Sequence, residues 1–182
     1  MNNQKQIAVF GGGCFWCLEA VFTRLKGVSG VSSGYAGGFA EDPNYEQVSK
    51  NETGHAEVVK VEFNPDEISY SDLLQIFFAS HDPTTINCQG NDVGPQYRSI
   101  ILYSDDSQRK AAEEIIGELQ KEKVFDGSVA TEVKELDKFY PAENYHDKYY
   151  DKNPSLPYCQ IIISPKIGKL KEKFARLLRE EM

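Results

Sequence analysis

Apolar residues along the chain alternate between short runs and segments with helical spacing. The run QIAVF at residues 6–10 predicts a buried strand, and three glycines follow it. The next segment repeats apolar residues every three or four positions, which predicts a helix that begins near Phe15 or Trp16. The apolar face of this helix comprises Leu18, Val21, Phe22 and Leu25. The chain is therefore expected to begin with a strand, a glycine turn and a helix.

The same alternation continues towards the C-terminus. Short apolar or alternating runs predict further strands at residues 27–38, 54–65, 97–104, 131–136 and 159–163. Helical spacing predicts further helices at residues 69–81, 105–122, 142–150 and 166–179. Ser69 is the expected N-cap of the first of these helices. Residues 82–95 are dense in turn formers and predict a loop.

The order of these elements predicts the fold class. Strands and helices alternate, and several strands have one polar face, which favours a two-layer α+β sandwich with a mixed sheet over a parallel sheet covered on both faces. We expect a split βαβ (ferredoxin-like) core followed by a C-terminal extension. At 182 residues the chain can bury one substantial core, so we expect a single domain over residues 1–182.

Charge and composition narrow the classes of function. The chain is 40% hydrophobic and 26% charged, which is typical of a globular protein, and its net charge is −8. Lysine and arginine are dense at residues 166–179, where they alternate with apolar residues as on the solvated face of a helix. Because an acidic protein repels phosphate, we expect no nucleic-acid partner.

The N-terminal stretch predicts the compartment. It contains one lysine and an apolar run of only four residues, 7–10. Neither a signal peptide nor a membrane span has this form, so we expect a cytoplasmic protein with no membrane partner. In a reducing compartment the four cysteines are expected to be reactive, metal-binding or buried, rather than paired in permanent disulfides.

Cys14 lies at the predicted N-terminus of the first helix, and this position favours a reactive thiol. A thiol with a free pKa of about 8.5 must be made more acidic to react at pH 7. Unpaired N–H groups and the helix dipole favour an anion there, and the preceding glycines let the backbone approach closely. Phe15 and Trp16 add an apolar wall. Cys17 can equally be a small buried side chain at the start of a helix.

The three histidines do not predict a metal site. His55, His81 and His146 do not have the spacing of a helical HExxH pair, and the cysteines supply one CxxC without a second. His81 is instead expected to end a helix and to satisfy its carbonyl groups. We therefore assign neither a metal nor a cofactor.

The sequence from GGCFWCLEAVF onwards resembles the A-type peptide methionine sulfoxide reductases. The likeness covers most of the chain in the order of that family. It continues through SGYAGG, DPNYEQVS, TGHAEVVKVEF, HDPTT, QGNDVGPQYRSII, FYPAENYHDKYY and NPSLPYC. The resemblance implies reduction of the S-epimer of methionine sulfoxide, in oxidised proteins and peptides or free, with thioredoxin as the reductant. One enzyme acts on each sulfoxide epimer.

The resemblance also implies roles for individual residues. Cys14 would attack the sulfoxide sulfur, while Phe15 and Trp16 would hold the methyl group of the substrate. The other implied residues are Glu57 as proton donor, Tyr45 and Tyr97 as hydrogen-bond donors to the sulfoxide oxygen, Asp92 as a residue that orders the site, and Cys159 as the recycling cysteine. Burial near the aromatic wall would raise the pKa of Glu57, although the strand pattern by itself also fits a solvent-facing glutamate.

Three cysteines are candidates to resolve an oxidised Cys14. The resemblance favours Cys159, although the run CQIII that begins at this residue reads as a strand rather than a mobile tail. Cys17 is three residues from Cys14, and many relatives have glycine there. Cys88 lies in the predicted loop four residues before Asp92.

Two other classes of function fit parts of the sequence. Cys14 and Cys17 could form the CxxC pair of a general thiol disulfide oxidoreductase. The aromatic residues could instead form a peptide-binding module that recognises methionine and needs no thiol at position 14. Consumption of methionine sulfoxide, compared with insulin reduction and with simple binding, distinguishes the three.

Overall fold

A computed structural model of the chain describes residues 5–180. Residues 1–4, which are part of the stretch used to predict the absence of a signal peptide, lie outside the described residues. Among the helices of residues 5–180, none is both long and apolar enough to cross a membrane.

Eight strands and six α-helices make up the regular structure between residues 5 and 180. The strands are β1 (Gln6–Gly11), β2 (Val28–Ala36), β3 (Ala56–Phe63), β4 (Cys88–Gln89), β5 (Asp92–Val93), β6 (Ile100–Tyr103), β7 (Glu132–Glu135) and β8 (Phe139–Pro141). The helices are α1 (Phe15–Phe22), α2 (Tyr45–Ser49), α3 (Tyr70–Ser80), α4 (Asp106–Lys121), α5 (Tyr149–Lys152) and α6 (Ser164–Phe174). Short 3₁₀ turns at Pro95–Tyr97, Asn144–His146 and Ala175–Leu177 connect them.

Six strands form one mixed sheet in the order β7-β6-β1-β3-β2-β8. Strand β1 pairs antiparallel with β3 and β6, and β2 pairs antiparallel with β3 and β8, whereas β6 and β7 are parallel. Strand β3 thus lies between β1 and β2, which α1 connects. This architecture confirms the predicted α+β class with a mixed sheet.

Alternation along β1 directs its side chains to two apolar clusters. Ala8 and Phe10 join the main core with residues of α1, α3 and β3, while Val9 joins a smaller cluster on the other face of the sheet. The three side chains are fully buried. Burial on both faces explains why QIAVF reads as a continuous apolar run.

The glycines after β1 allow the chain to turn sharply into α1. Gly13 has a φ of +86°, a left-handed conformation that glycine adopts without strain. A Cβ on Gly11 would lie 2.8 Å from the carbonyl oxygen of Glu57, so only glycine fits so close to β3. Helix α1 then begins with Cys14 as its N-cap, as the sequence predicts.

The predicted caps of α3 are also present. Ser69 accepts a hydrogen bond from the backbone N–H of Asp72, and the Asp72 carboxylate accepts one from the backbone of Ser69, forming a capping box. At the other end His81 is the C-cap, and its Nδ1 lies 2.8 Å from the carbonyl oxygen of Phe77. The expected role of His81 is confirmed.

The strand predicted at residues 159–163 is wrong. Cys159–Ile163 forms a single turn of π-helix that leads directly into α6. Short apolar runs do not distinguish a strand from a buried helix. The buried side chains of this segment and α6 have helical spacing, and they are Cys159, Ile163, Ile167 and Leu170.

Two other segments differ from their predictions in detail. The short helix expected at residues 142–150 is divided into Asn144–His146 and α5, because Lys148 between them has a left-handed φ of 50°. The predicted loop 82–95 contains the small antiparallel hairpin β4–β5. This hairpin positions Asp92.

Candidate active site

Cys14 lies at the N-terminus of α1 and at the edge of a cavity. Its side chain makes no capping hydrogen bond, and the residue is 8% exposed. The cavity has a volume of about 420 Å³, and Cys17, Asp92 and Tyr158 also line it. The sulfur of Cys14 is therefore adjacent to a cavity.

Cys14 and Cys17 form a hydrogen-bonded thiol pair. Burial raises the pKa of Cys14, and the hydrogen bond to Cys17 and the nearby Glu57 raise it further. The hydrogen bond from Cys14 lowers the pKa of Cys17 to about 7, with support from Lys166 and Tyr158. In the resting site the negative charge is thus favoured on Cys17. Burial of the Cys14 thiol thus opposes the acidifying effect that the sequence predicts from the helix terminus.

Glu57 is buried beside the thiol pair. It lies on β3, is 2% exposed, and its Oε2 accepts a hydrogen bond of 3.1 Å from the backbone N–H of Phe15. Burial raises the pKa of this carboxyl to about 8, and Asp92 and Cys17 add to the shift, against the hydrogen bond from Phe15. The direction predicted from burial is confirmed, so the carboxyl holds a proton near neutral pH.

Tyr45 and Tyr97 approach the same carboxyl from two separate elements. Tyr45 is the first residue of α2, and its backbone N–H donates to Glu143 over 2.7 Å. Tyr97 ends a 3₁₀ turn, and its carbonyl oxygen accepts a bond of 3.1 Å from Gly13. Burial and then Glu57 raise the pKa of both phenols. Both hydroxyls therefore remain neutral hydrogen-bond donors.

Phe15 and Trp16 form an aromatic wall with residues from the C-terminal part of the chain. Phe15 is 1% exposed, and its ring contacts the edge of His146 with centroids 4.8 Å apart. Trp16 is half-buried, and its Nε1–H donates to His146 Nδ1 over 3.0 Å. The ring of Tyr149 stacks on Trp16 with centroids 3.6 Å apart.

Asp92 is held by a residue that the sequence did not single out. The hydroxyl of Tyr158 donates to Asp92 Oδ2 over 2.9 Å and lies 3.8 Å from the sulfur of Cys17. Asp92 belongs to the β4–β5 hairpin, which brings its carboxylate to the cavity beside Cys14. The predicted site residues thus converge at the N-terminus of α1.

The two remaining cysteines differ in their surroundings. Cys88 is half-buried in β4, where its carbonyl oxygen accepts a bond of 2.6 Å from Thr85. Cys159 is 0% exposed at the start of the π-helix, and burial followed by the charge of Cys17 raises its pKa. All four cysteines are free thiols.

Four residues that order the site were not identified as site residues from the sequence. Glu143 accepts hydrogen bonds from the Tyr35 hydroxyl over 2.8 Å and from the backbone of Tyr45. His146, Tyr149 and Tyr158 contact Trp16. The only signal for these residues was the density of aromatic and charged residues after Pro141.

Known proteins are similar to this chain in sequence and in fold. Residues 6–178 match the family model described as peptide methionine sulfoxide reductase. The chain is 57% identical over 162 residues to a peptide methionine sulfoxide reductase MsrA of Nautilia profundicola, which covers 89% of this chain and 92% of the relative. It is similar to the crystal structure of reduced Mxr1 from Saccharomyces cerevisiae, with a TM-score of 0.78, 33% identity, and coverage of 87% of this chain and 91% of the other.

A more distant likeness is to Mxr1 in complex with Trx2, with a TM-score of 0.55, 23% identity, and coverage of 82% and 87%. At this identity the likeness concerns the fold alone. The family match, in contrast, extends over nearly the whole chain and includes every block of sequence around the thiol pair. The chain belongs to the peptide methionine sulfoxide reductase family.

Proposed function

We propose that the enzyme reduces the S-epimer of methionine sulfoxide by attack of the Cys14 sulfur, with Glu57 as the proton donor. The observation that carries this assignment is the buried carboxyl of Glu57, whose pKa is about 8 and which is bonded to the residue directly after Cys14. Expulsion of oxygen from sulfur requires a general acid, and a carboxyl with this pKa is protonated at neutral pH. The substrates are oxidised proteins and peptides, and also free methionine sulfoxide.

The first step transfers oxygen from the substrate to Cys14. Cys14 passes its proton to Cys17 through the hydrogen bond between them, and its sulfur attacks the sulfoxide sulfur. Glu57 protonates the sulfoxide oxygen, which moves to Cys14. Methionine leaves with a reduced sulfur, and Cys14 becomes a sulfenic acid. The number of atoms and electrons is conserved without a cofactor.

The surrounding residues bind and orient the substrate. Tyr45 and Tyr97 donate hydrogen bonds to the sulfoxide oxygen, which increases the positive character of the sulfur. Phe15 and Trp16 take the methyl group against their apolar rings. Asp92 orders the polar edge of the cavity through its bond to Tyr158.

The second step resolves the sulfenic acid, and the geometry supports Cys17 as the first partner. Cys17 is hydrogen bonded to Cys14 and has the lower pKa, so it supplies the more abundant thiolate. Cys159 then attacks the Cys17 sulfur of this disulfide. The charge of Cys17 raises the pKa of Cys159, which indicates that these two sulfurs are near each other. This exchange frees Cys14 and leaves a Cys17–Cys159 disulfide. The proposed sequence assigns no step to Cys88, which is half-buried in β4.

Thioredoxin reduces the final disulfide in this proposal. A complex with Trx2 is known for the yeast protein Mxr1. We place the enzyme in the cytoplasm, where reductants such as thioredoxin keep thiols free.

The test of the reaction uses separated sulfoxide epimers. Wild-type enzyme with dithiothreitol should release methionine from the S-epimer alone, and Cys14→Ser should release none. Turnover of only the R-epimer would contradict the assignment. Insulin reduction without consumption of methionine sulfoxide would indicate a general dithiol oxidoreductase, and binding retained by Cys14→Ser without any wild-type chemistry would indicate a peptide-binding module.

The order of the disulfides is tested by substitution and mass spectrometry. Cys159→Ser should form one methionine per enzyme, accumulate a Cys14–Cys17 disulfide and fail to cycle with thioredoxin. Cys17→Ser should form methionine more slowly, because it lacks the thiolate that accepts the proton of Cys14, and it should accumulate the sulfenic acid. A Cys14–Cys159 disulfide formed by Cys17→Ser at the wild-type rate would give the first resolving role to Cys159.

A further inference from the structure

Tyr158 stands between the thiol pair and Asp92. Its hydroxyl lies 2.9 Å from Asp92 Oδ2 and 3.8 Å from the Cys17 sulfur, and the edge of its ring meets Trp16 with centroids 5.9 Å apart. Tyr158 also lines the cavity that contains both thiols. The catalytic sequence above assigns no chemical step to this side chain.

The Tyr158 hydroxyl has one proton and faces two acceptors. While Cys17 is a thiol, its S–H can donate to the phenol oxygen and the phenol can donate to Asp92. Once Cys17 is a thiolate, its sulfur only accepts, so the thiolate and the Asp92 carboxylate compete for the same hydrogen. A hydrogen bond to a charged acceptor is stronger than one to a neutral acceptor, so ionisation of Cys17 draws the phenol towards the sulfur.

We propose that Tyr158 is a positioning residue for disulfide formation: its hydroxyl donates to the Cys17 thiolate and holds that sulfur towards Cys14. This inference rests on the proposed function, in which Cys17 forms the first disulfide. It extends that function because it gives Tyr158, in the C-terminal segment, a role in formation of the Cys14–Cys17 disulfide.

The step that Tyr158 assists is balanced within the two cysteines. The Cys17 thiolate attacks the sulfur of the Cys14 sulfenic acid, so an S–S bond forms and the S–O bond breaks. Cys17 is oxidised and Cys14 is reduced. The oxygen leaves as water with the proton that Cys17 gave up. The new disulfide sulfur has neither a charge nor a hydrogen, so the phenol then donates to Asp92 alone.

Several charged or titratable groups surround Cys17, and Tyr158 differs from them in being directional. Cys14 is the N-cap of the same helix, and Lys166 approaches from α6. Asp92 approaches from the β4–β5 hairpin and Glu57 from β3. The positive charge of Lys166 opposes the two carboxyl groups. Cys159 is the remaining neighbour, and burial keeps its thiol neutral. Lys166 and the carboxyl groups change the charge balance, whereas the phenol hydrogen bond also fixes where the sulfur lies.

The experiment compares Tyr158→Phe with the parent in a Cys159→Ser background, in single-turnover reactions with excess enzyme. Methionine release should also slow, because Cys17 accepts the proton of Cys14 in that step and loses a hydrogen bond that favours its thiolate, but it should slow less than disulfide formation. Formation of the Cys14–Cys17 disulfide at pH 7 should slow by about tenfold more than methionine release does, because only this step also needs the Cys17 sulfur held towards Cys14, and its pH midpoint should rise. Acid quenching, alkylation of free thiols and mass spectrometry measure both steps.

A matched control is available on the same segment. Tyr150→Phe removes a phenol hydroxyl that is 2.9 Å from Ser164 Oγ and is not among the residues around the thiols. This variant should form the disulfide at the parental rate with an unchanged pH midpoint.

The possible failures are distinguishable. If the Cys159→Ser parent releases methionine but forms no Cys14–Cys17 disulfide, the proposed order of disulfides is wrong. If the parent forms this disulfide and Tyr158→Phe forms it equally fast with the same pH midpoint, the role of Tyr158 is overturned while the proposed function stands. Equal slowing of methionine release and disulfide formation would also overturn it, because the hydroxyl would then support the whole site rather than the second step.

Discussion

The carboxyl of Glu57 accepts a hydrogen bond of 3.1 Å from the backbone N–H of Phe15, a residue 42 positions earlier in the chain. Phe15 is the first residue of α1, so its N–H has no partner within the helix. The carboxyl of a neighbouring strand therefore caps the helix in place of the Cys14 side chain. This one contact thus caps the helix and fixes the acid next to the nucleophilic cysteine.

Glu57→Gln should separate the structural role of this side chain from its role as an acid. The amide oxygen can still accept the bond from Phe15, but the amide does not supply a proton to the sulfoxide. We expect the rate of methionine formation to fall by about 100-fold to 10,000-fold, measured under single-turnover conditions. Glu62→Gln, on the half-buried outer part of the same strand, is the matched control and should behave as wild type. A rate for Glu57→Gln within tenfold of wild type would assign the proton to another donor.

The pH dependence of methionine formation should be bell-shaped. The acidic limb reflects Cys17, with a pKa of about 7, which must be ionised to accept the proton of Cys14. The alkaline limb reflects Glu57, with a pKa of about 8, which must be protonated to donate. We therefore expect a maximum between pH 7 and 8. Single-turnover rates from pH 5 to pH 10 test this profile, and a rate that continues to rise above pH 9 would exclude Glu57 as the acid.

Glu57 should also make the folded protein less stable in alkaline solution. Its pKa rises from 4.5 to about 8 on folding, so the folded state holds the proton more tightly than the unfolded state. This contribution is fully present below pH 4.5 and is lost as the pH rises through about 8. Glu57→Gln removes the buried charge and should be more stable than wild type at pH 9 by on the order of 3 kcal/mol.

Denaturant unfolding at pH 5 and pH 9 measures the effect of Glu57. The variant and the wild type should differ little at pH 5, where the carboxyl is neutral in the folded protein. An equal difference at both pH values would show that the substitution acts through packing instead of through ionisation.

Gly13→Ala should disturb the approach of β1 to α1. The residue has a φ of +86°, and a Cβ would lie 2.7 Å from Cγ of Gln89. The side-chain amide of Gln89 accepts a hydrogen bond of 3.1 Å from the backbone N–H of Asp82 and donates one of 3.0 Å to its carbonyl oxygen. The Gln89 side chain therefore cannot easily move aside. We expect a loss of about 1–3 kcal/mol in the free energy of unfolding. Methionine formation should also fall, because Cys14 is the next residue and its sulfur would be displaced.

Gly117→Ala is the control for this substitution. Gly117 lies inside α4, and a Cβ there would meet nothing within 4 Å. Alanine is the better helix former by about 0.5–1 kcal/mol, so this variant should be more stable than wild type and fully active. Thermal unfolding and single-turnover assays of both variants compare the two positions directly.

The elements that the sequence predicted well are those with local causes. The apolar run before Gly11, the glycine turn and the helical spacing after Cys14 each act within a few residues, and they were sufficient to place Cys14 at a helix N-terminus. Ser69 and His81 likewise mark the ends of α3 through contacts with nearby backbone groups.

The features that the sequence did not reveal depend on contacts between distant residues. Tyr158 reaches Asp92 across 66 positions, and His146 reaches Trp16 across 130. The ionisation of the thiol pair is of the same kind, because it depends on burial by several elements and on the direction of one hydrogen bond. The strand predicted at Cys159 was wrong because a short apolar run has the same sequence pattern in a strand and in a buried helix.

The burial of Cys159 has a consequence for the speed of repair. The proposed Cys17–Cys159 disulfide would include a sulfur that is 0% exposed at the start of a helical turn, so thioredoxin reaches it only once that turn opens. At high reductant concentration the cycle should therefore reach a ceiling set by this local motion, in the way that lid opening limits many enzymes. A higher concentration of thioredoxin would then raise the rate of encounter but not the rate at which the turn opens.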